Sequence, residues 1–230
     1  MPDQRHILSA VEEAHARING LIVQMASCAE TNLANAVRGL LERNEDLCNC
    51  AIADDDAADA LEKKIDEEGH ALILRFSPMA RDLRRVISSM KASTALERVS
   101  DHAVSIARRA RLLNAREPVI ETGLIQPIYE LAASQLKLAV DAFHHGDLAL
   151  ALRIVQNDDP LDVAHYEFID QLTDTIAKNG PQASDYVALI FITRLLERIG
   201  DQAVNIAEDA IYLLTATDIR HGGTLPQVKA

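Results

Sequence analysis

A twelve-residue motif occurs twice in this chain, one hundred residues apart. The first copy, LERVSDHAVSIA, spans residues 96–107, and the second, LERIGDQAVNIA, spans residues 196–207, with eight of the twelve positions identical. In each copy a Glu precedes an Asp by four residues, so on a helix the two like-charged side chains are neighbours on one face. The repeat constrains the fold to two related halves, each with its own acidic pair.

Apolar residues in both halves recur at spacings of three and four, which is the period of an amphipathic α-helix. Aromatic residues make up only 3% of the chain, with no Trp, which also favours packed helices over strands. We predict three helices in each half, starting at about residue 4, with ends near Arg43, Arg75, Asn114, His145, Lys178 and Thr217. Pro160 lies inside the fifth helix and predicts a kink just after Asp159, because proline lacks the backbone N–H.

Pro and Gly residues between the halves indicate a boundary there. The predicted fold is all-α, with two tandem three-helix bundles built from long antiparallel helices. We predict a first repeat over residues 1–116, a linker over 117–124, a second repeat over 125–220 and a polar tail over 221–230.

The chain is strongly acidic, with 35 acidic and 23 basic residues and a formal net charge of −12. It therefore repels phosphate backbones, which argues against nucleic acid as a partner. Its longest apolar run, residues 187–192, is too short to cross a bilayer, and the N-terminal residues have no apolar segment of signal-peptide length. The three cysteines form no C-x-x-C pair. We predict a cytoplasmic protein that reaches the membrane only through its partners.

Acidic residues on the helix that precedes each motif extend the acidic pairs. They are Asp55, Asp59, Glu62 and Asp66 in the first half and, more weakly, Asp159, Asp162 and Asp170 in the second. A short turn joins each of these helices to the next, so the two should pack antiparallel and bring their acidic edges together. A bound multivalent cation would offset the repulsion, and clusters of carboxylates alone suit Mg²⁺, Mn²⁺, Ca²⁺ or iron. The alternative is a solvated face paired with Arg98 and Arg198, but the duplication favours metal.

The two motifs resemble the paired E-x-x-x-D signatures of the PhoU family, the phosphate-specific transport system accessory proteins. SPMARDLRRV (residues 77–86) and GPQASDYVAL (residues 180–189) are similar to the segment that opens the same helix in that family, and the resemblance covers nearly the whole chain. It implies multinuclear metal clusters, whose candidate ligands here are Glu97, Asp101, Glu197, Asp201, Glu62, Asp66, Asp162 and Asp170. Tyr166 stands where Glu62 stands in the first repeat, so we expect a smaller or differently ligated second cluster. Ser100 in place of Gly200 should make the first site slightly more crowded.

The resemblance also implies a regulator and not an enzyme. Such a protein restrains the phosphate-starvation response through contact with a phosphate ABC transporter, at its ATPase, and with a sensor histidine kinase. The implied cofactors are multivalent metal ions, with iron, Mn, Mg and Zn as candidate identities. We also expect a homo-oligomer, because acidic helical plates often self-associate through apolar edges.

Two other functions remain open at this point. A ferritin-like di-iron oxidase would use E-x-x-H motifs, and the chain contains Glu12-x-x-His15 and Glu67-x-x-His70. However, both motifs lie in the first half, and neither is echoed in the second. A metal-free helical adaptor, whose acids serve only for solvation, is the other alternative.

Overall fold

The structure is a computed structural model that describes residues 4–157, 159–178, 182–220 and 225. Within these ranges the chain forms helices and no strand, which confirms the all-α prediction. The helices are α1 Gln4–Leu41, α2 Glu45–Ala53, α3 Asp55–Phe76, α4 Ala80–Asn114, α5 Ile125–His145, α6 Leu148–Gln156, α7 Asp159–Lys178 and α8 Ala183–Thr215, with a 3₁₀ turn at Ile120–Leu124. No helix in the described part of the chain is both long and apolar enough to cross a membrane. The predicted polar tail, apart from Leu225, lies outside the described residues.

The second helix of each repeat is interrupted, which the sequence analysis did not predict for the first repeat. In that repeat α2 ends beside Asp54 and α3 begins at the next residue, although the Asp54 amide still bonds to the Cys50 carbonyl at 2.9 Å. In the second repeat the kink predicted just after Asp159 is wrong, because α6 has already ended at Gln156. Pro160 explains the shift, since its ring would clash with the carbonyl four residues earlier, which belongs to Gln156. It is tolerated within the first turn of α7.

Turn residues end the helices at the predicted places. Gly146 has φ 67° and ends α5, and Asp147 then caps α6 by accepting a hydrogen bond from the Leu150 amide at 2.9 Å. In the first repeat Arg43 has φ 52°, and the Asn44 amide bonds to the Gly39 carbonyl at 2.9 Å. These turns reverse the chain and make the neighbouring helices antiparallel.

The Arg43 guanidinium fixes the end of α1 to the end of α4. It donates hydrogen bonds to the backbone carbonyls of Asn114, at 2.6 Å, and of Arg116. In the other direction, the Asn114 side-chain amide donates to the Gly39 carbonyl at 2.9 Å. The Arg43 bonds give partners to carbonyls at the end of α4, and the Asn114 amide is a second donor to the Gly39 carbonyl.

The two repeats share one hydrophobic core. The third helices, α4 and α8, contact each other extensively in addition to packing within their own repeats. A single cluster of buried side chains runs through both, including Leu96, Val99 and Ile106 of α4 and Leu196, Ile199 and Ile206 of α8. These residues belong to the apolar stripes predicted from the motif. Because the stripes face the core, the acidic residue that follows Leu96 or Leu196 lies at the edge of the core.

We predict opposite effects for two glycine substitutions in α1. A Cβ at Gly39 would lie 2.5 Å from the Cys48 Sγ and 3.0 Å from the Cys48 backbone nitrogen, whereas a Cβ at Gly20 would meet nothing within 4 Å. Gly39→Ala should therefore lower the free energy of unfolding by about 1–3 kcal/mol. Gly20→Ala should raise it by about 0.5–1 kcal/mol through helix propensity. Urea unfolding of both variants measures this, and a stabilised Gly39→Ala protein would contradict the packing of α2 on α1.

Candidate metal centre

Five carboxylates converge where α3 packs on α4. Glu97 and Asp101 lie on successive turns of α4, and Asp55, Asp59 and Glu62 approach them from α3; we call these five residues the α3–α4 cluster. Burial, followed by the charges of Asp101, Glu62, Asp59 and Asp55, raises the pKa of Glu97 to about 7. The structure thus brings together three of the four ligand candidates of the first repeat, namely Glu62, Glu97 and Asp101. It adds Asp55 and Asp59, which the sequence had placed on the same acidic stripe.

Polar side chains at the contact between α3 and α4, which we call the seam, form hydrogen bonds with two of the α3 carboxylates. Thr94 donates a hydrogen bond from Oγ1 to Glu62 Oε1 at 3.0 Å. Burial and Asp101 raise the pKa of Asp55, whereas a hydrogen bond with Ser100 lowers it. Ser100 is itself fully buried and accepts a hydrogen bond from Asn32 Nδ2 at 2.8 Å. The cluster is therefore supported by Asn32, Thr94 and Ser100. A search of the sequence for acidic residues alone does not find these three residues.

Asp66, the remaining ligand candidate of the first repeat, lies outside this cluster. It lines a separate groove of 670 Å³ together with Lys91 and Arg98 of α4 and Asn205 of α8. It is also absent from the charges that raise the pKa of Glu97. The spacing of four residues from Glu62 predicts that Asp66 lies on the same face of α3, one turn further along.

The second repeat gathers fewer carboxylates and neutralises part of their charge. Burial and then Asp201 raise the pKa of Glu197; Arg194 lowers it and Asp162 raises it. We call Asp162, Glu197 and Asp201 the α7–α8 cluster. Arg194 Nη1 lies 3.0 Å from Glu197 Oε1, and Glu197 Oε2 is buried with no hydrogen-bond partner in the described protein. The sequence contained this signal, because Arg194 precedes Glu197 by three residues where Thr94 precedes Glu97.

Leu161 of α7 packs directly against Gly200 of α8 in the second repeat. A Cβ on Gly200 would lie 2.3 Å from Leu161 Cδ2, so α7 occupies the space that the Ser100 side chain occupies in the first repeat. The expectation that Ser100 makes the first site slightly more crowded stays a prediction. Asp170 and Tyr166 lie on the outer face of α7, and Tyr166 is 61% exposed. The predicted ligand Asp170 is not among the charges that shift the pKa of Glu197.

The carboxylates of each cluster interact electrostatically but do not form a preorganised coordination sphere. In the described part of the chain, no three His, Cys, Asp or Glu side chains lie close enough together to hold a metal ion. Chemically, however, both clusters suit a hard cation, because all their donors are oxygen atoms. A bound cation would lower the pKa of Glu97 and would give Glu197 Oε2 a partner.

The two E-x-x-H motifs lie elsewhere. Glu12 and His15 line a cavity with His144 and His145, whereas Glu67 lines a groove with basic residues. No carboxylate of either cluster lines these cavities. The structure thus does not combine the histidines with the duplicated acidic pairs, as a di-iron site would require.

We predict that Glu97→Gln flattens the pH dependence of stability. A pKa of about 7 in the folded state, against an ordinary value of 4.5, means that the folded protein binds more protons than the unfolded chain between these pH values. Stability must then fall as pH rises from 4.5 to about 7 and stay lower above it. Without its titrating carboxyl, the variant should lose this decline and exceed wild type in stability at pH 8.

The matched control is Glu197→Gln in the second repeat, where Arg194 offsets part of the repulsion and the gain at pH 8 should be smaller. Urea unfolding in chelator between pH 4.5 and 8 measures all three proteins. Identical pH profiles for wild type and Glu97→Gln would contradict the electrostatic repulsion between Glu97 and the neighbouring carboxylates.

Comparison with known proteins matches both repeats to one family. The PhoU domain family matches residues 22–110 and again residues 125–210. The phosphate-specific transport system accessory protein PhoU homolog from Caulobacter vibrioides is 31% identical over 93% of this chain and 94% of the relative. The homolog from Pseudomonas aeruginosa is 34% identical over 88% of this chain and 84% of the relative.

Solved structures agree with this match. The crystal structure of PhoU from Pseudomonas aeruginosa superimposes with a TM-score of 0.81 and 31% identity, covering 94% of this chain and all of that one. The phosphate transport system regulatory protein PhoU from Streptococcus pneumoniae shares the fold, with a TM-score of 0.78 at 24% identity over 92% of this chain and 98% of that one. With its duplicated motif on the two central helices and both repeats matched, the chain belongs to the PhoU family.

Proposed function

We propose that this chain is an accessory protein of a phosphate-specific transport system and regulates phosphate uptake and phosphate-starvation signalling. The match of both repeats to the PhoU domain carries this proposal. Relatives that bear this name align with about nine-tenths of the chain or more. The chain acts by protein–protein contact in the cytoplasm and not by catalysis.

We propose that metal ions bind at the two carboxylate clusters. The α3–α4 cluster would supply Glu62, Glu97 and Asp101, with Asp55 and Asp59 within reach, and the α7–α8 cluster would supply Asp162, Glu197 and Asp201. The metal would contribute positive charge that offsets the repulsion between these groups and links one helix to the next. Iron, Mn, Mg and Zn are the candidate ions, and the oxygen donors favour the harder ones. The raised pKa of Glu97 supports the first site most directly.

The proposed partners are the ATPase of a phosphate ABC transporter and a sensor histidine kinase. The net charge of −12 favours basic surfaces on these partners. Self-association into a homodimer is part of the same proposal, and sedimentation of the purified chain tests it.

We predict a metal-dependent crossover in stability for Asp101→Asn. In chelator this variant should be at least as stable as wild type, because a like-charge repulsion has gone. With metal at a hundredfold excess over the dissociation constant, wild type should gain about 2.7 kcal/mol and the variant less. Asp201→Asn should show a smaller loss of this gain, because Arg194 already offsets part of the charge on Glu197. Thermal unfolding with chelator and with Mg²⁺, Mn²⁺ and Fe²⁺, together with elemental analysis, measures this.

Asp170→Asn is the matched control for these variants, since it removes an exposed carboxylate outside the α7–α8 cluster. Its metal content should equal that of wild type. Parallel melting curves for all variants, with no metal retained by wild type, would favour the metal-free adaptor. Turnover of O₂ or peroxide by the iron-loaded protein would favour the oxidase.

We predict that the full chain binds both proposed partners at moderate salt. The purified transporter ATPase and the sensor kinase should each be retained by the immobilised chain, and the complexes should weaken as salt screens the acidic surface. Circular dichroism must first show that each partner is folded. Retention of neither folded partner would contradict the proposed function.

A further inference from the structure

A polar cavity lies where the two repeats meet at one end of the bundle. It has a volume of 310 Å³ and is bounded by α1 and the start of α4 from the first repeat, and by the ends of α5 and α8 from the second. None of the residues of the α3–α4 or α7–α8 clusters lines it. Its chemistry is therefore independent of the proposed metal sites.

Buried His15 is the first observation that points to a ligand. It lines the cavity from α1 and is only 2% exposed. Its Nε2 atom is buried and has no hydrogen-bond partner in the described protein. A buried polar atom without a partner costs free energy, and such atoms in native proteins usually have a partner that is a protein group, a water or a ligand.

Hydrogen-bond donors dominate the rest of the lining. Arg81 and Arg85 are four residues apart on α4, so both face the cavity, and Ser89 continues this face by one more turn. Asn19 lies one turn beyond His15 on α1. Each guanidinium can donate two parallel hydrogen bonds to an oxyanion.

Two carboxylates also line the cavity, but one of them is already paired. Glu12 Oε2 lies 3.3 Å from Arg85 Nη1. Arg81, by contrast, has no carboxylate within ion-pair distance among the described residues, and it occupies the second position of α4, where the helix dipole favours an anion. Asp82 is the second carboxylate of the lining, so the cavity holds two carboxylates and two guanidinium groups.

The end of α5 adds two more imidazoles. His144 and His145 line the cavity, and their rings lie 4.7 Å apart in an edge-to-face arrangement. Burial and Arg85 lower the pKa of His15, whereas Asp82 and Glu12 raise it. A neutral imidazole can still donate one hydrogen bond to an anion.

We propose that this cavity binds a small tetrahedral oxyanion, of the class to which inorganic phosphate and sulfate belong. Side chains that can donate hydrogen bonds outnumber the two carboxylates, one of which already pairs with Arg85, and His15 presents an unused ring nitrogen. A metal ion is the poorer occupant, because Arg81 contributes a positive charge that no carboxylate among the described residues pairs with. Since both repeats line the cavity, a bound oxyanion would link α4 to the end of α5.

The test is isothermal titration of the full, chelator-treated chain with inorganic phosphate and with sulfate, against sodium chloride at equal ionic strength. Wild type should bind one oxyanion per chain, and chloride should give no comparable heat. Arg81→Gln and Arg85→Gln should each weaken binding about tenfold or more, because each removes a charge-assisted hydrogen bond. His15→Gln and Ser89→Ala should weaken it less.

Arg111→Gln is the matched control. Like Arg85, Arg111 lies on α4 and pairs with a glutamate on another helix, Glu45, but it lies at the opposite end, roughly 39 Å away at about 1.5 Å per residue. It should bind the oxyanion within about twofold of wild type. Thermal unfolding without ligand checks that each variant is folded.

Three results would overturn the proposal. One is the absence of oxyanion binding to wild type up to about 10 mM, a very weak affinity. Another is equal weakening by Arg111→Gln and Arg85→Gln, which would indicate a general charge effect. The third is binding of Mn²⁺ or Zn²⁺ that His15→Gln abolishes while phosphate gives no heat, which would make the cavity a cation site.

Discussion

Helices α4 and α8 each bury a stripe of apolar side chains, and they bury part of it against each other. Every other element is positioned by this pair. Within each repeat the first helix and the interrupted second helix pack on the third, so the acidic residues beside the stripe lie at the seam with the second helix. A carboxylate that follows a core leucine cannot turn fully to solvent. The acidic seams are thus a geometric consequence of the core.

The two seams do not have the same electrostatics, although the motif is nearly the same. Four carboxylates surround Glu97, and the hydroxyl groups of Thr94 and Ser100 bond to two of them. Glu197, by contrast, has a guanidinium group at 3.0 Å. A single exchange, Thr94 against Arg194, accounts for much of this difference. We expect a cation to affect the first seam more, because uncompensated charge in a partly buried position is the larger cost.

Sequence reasoning predicted the helices, the repeat and the edge positions of the acidic pairs, because these follow from local periodicity. It failed where the answer depended on how two helices meet. Asp66 and Asp170 lie at helical spacing from members of the clusters, yet neither is among the charges that shift the pKa of Glu97 or Glu197. The crossing of two helices limits how many turns stay in contact. The predicted kink after Asp159 was three residues beyond the observed end of α6 at Gln156. The ring of Pro160 would clash with the carbonyl four residues earlier, so the helix must end there.

The shared core also says something about how such a chain could have arisen. A protein with only one repeat would leave uncovered the face of α4 that α8 now buries, and an exposed apolar face of that size favours association. The simplest cover is the same face of a second copy, related by a two-fold axis, as in most symmetric dimers. Joining two copies through a short connection would then turn an intermolecular contact into an intramolecular one. After that step each seam was free to change alone, and the two now differ, with Thr94 and Ser100 in one and Arg194 and Gly200 in the other.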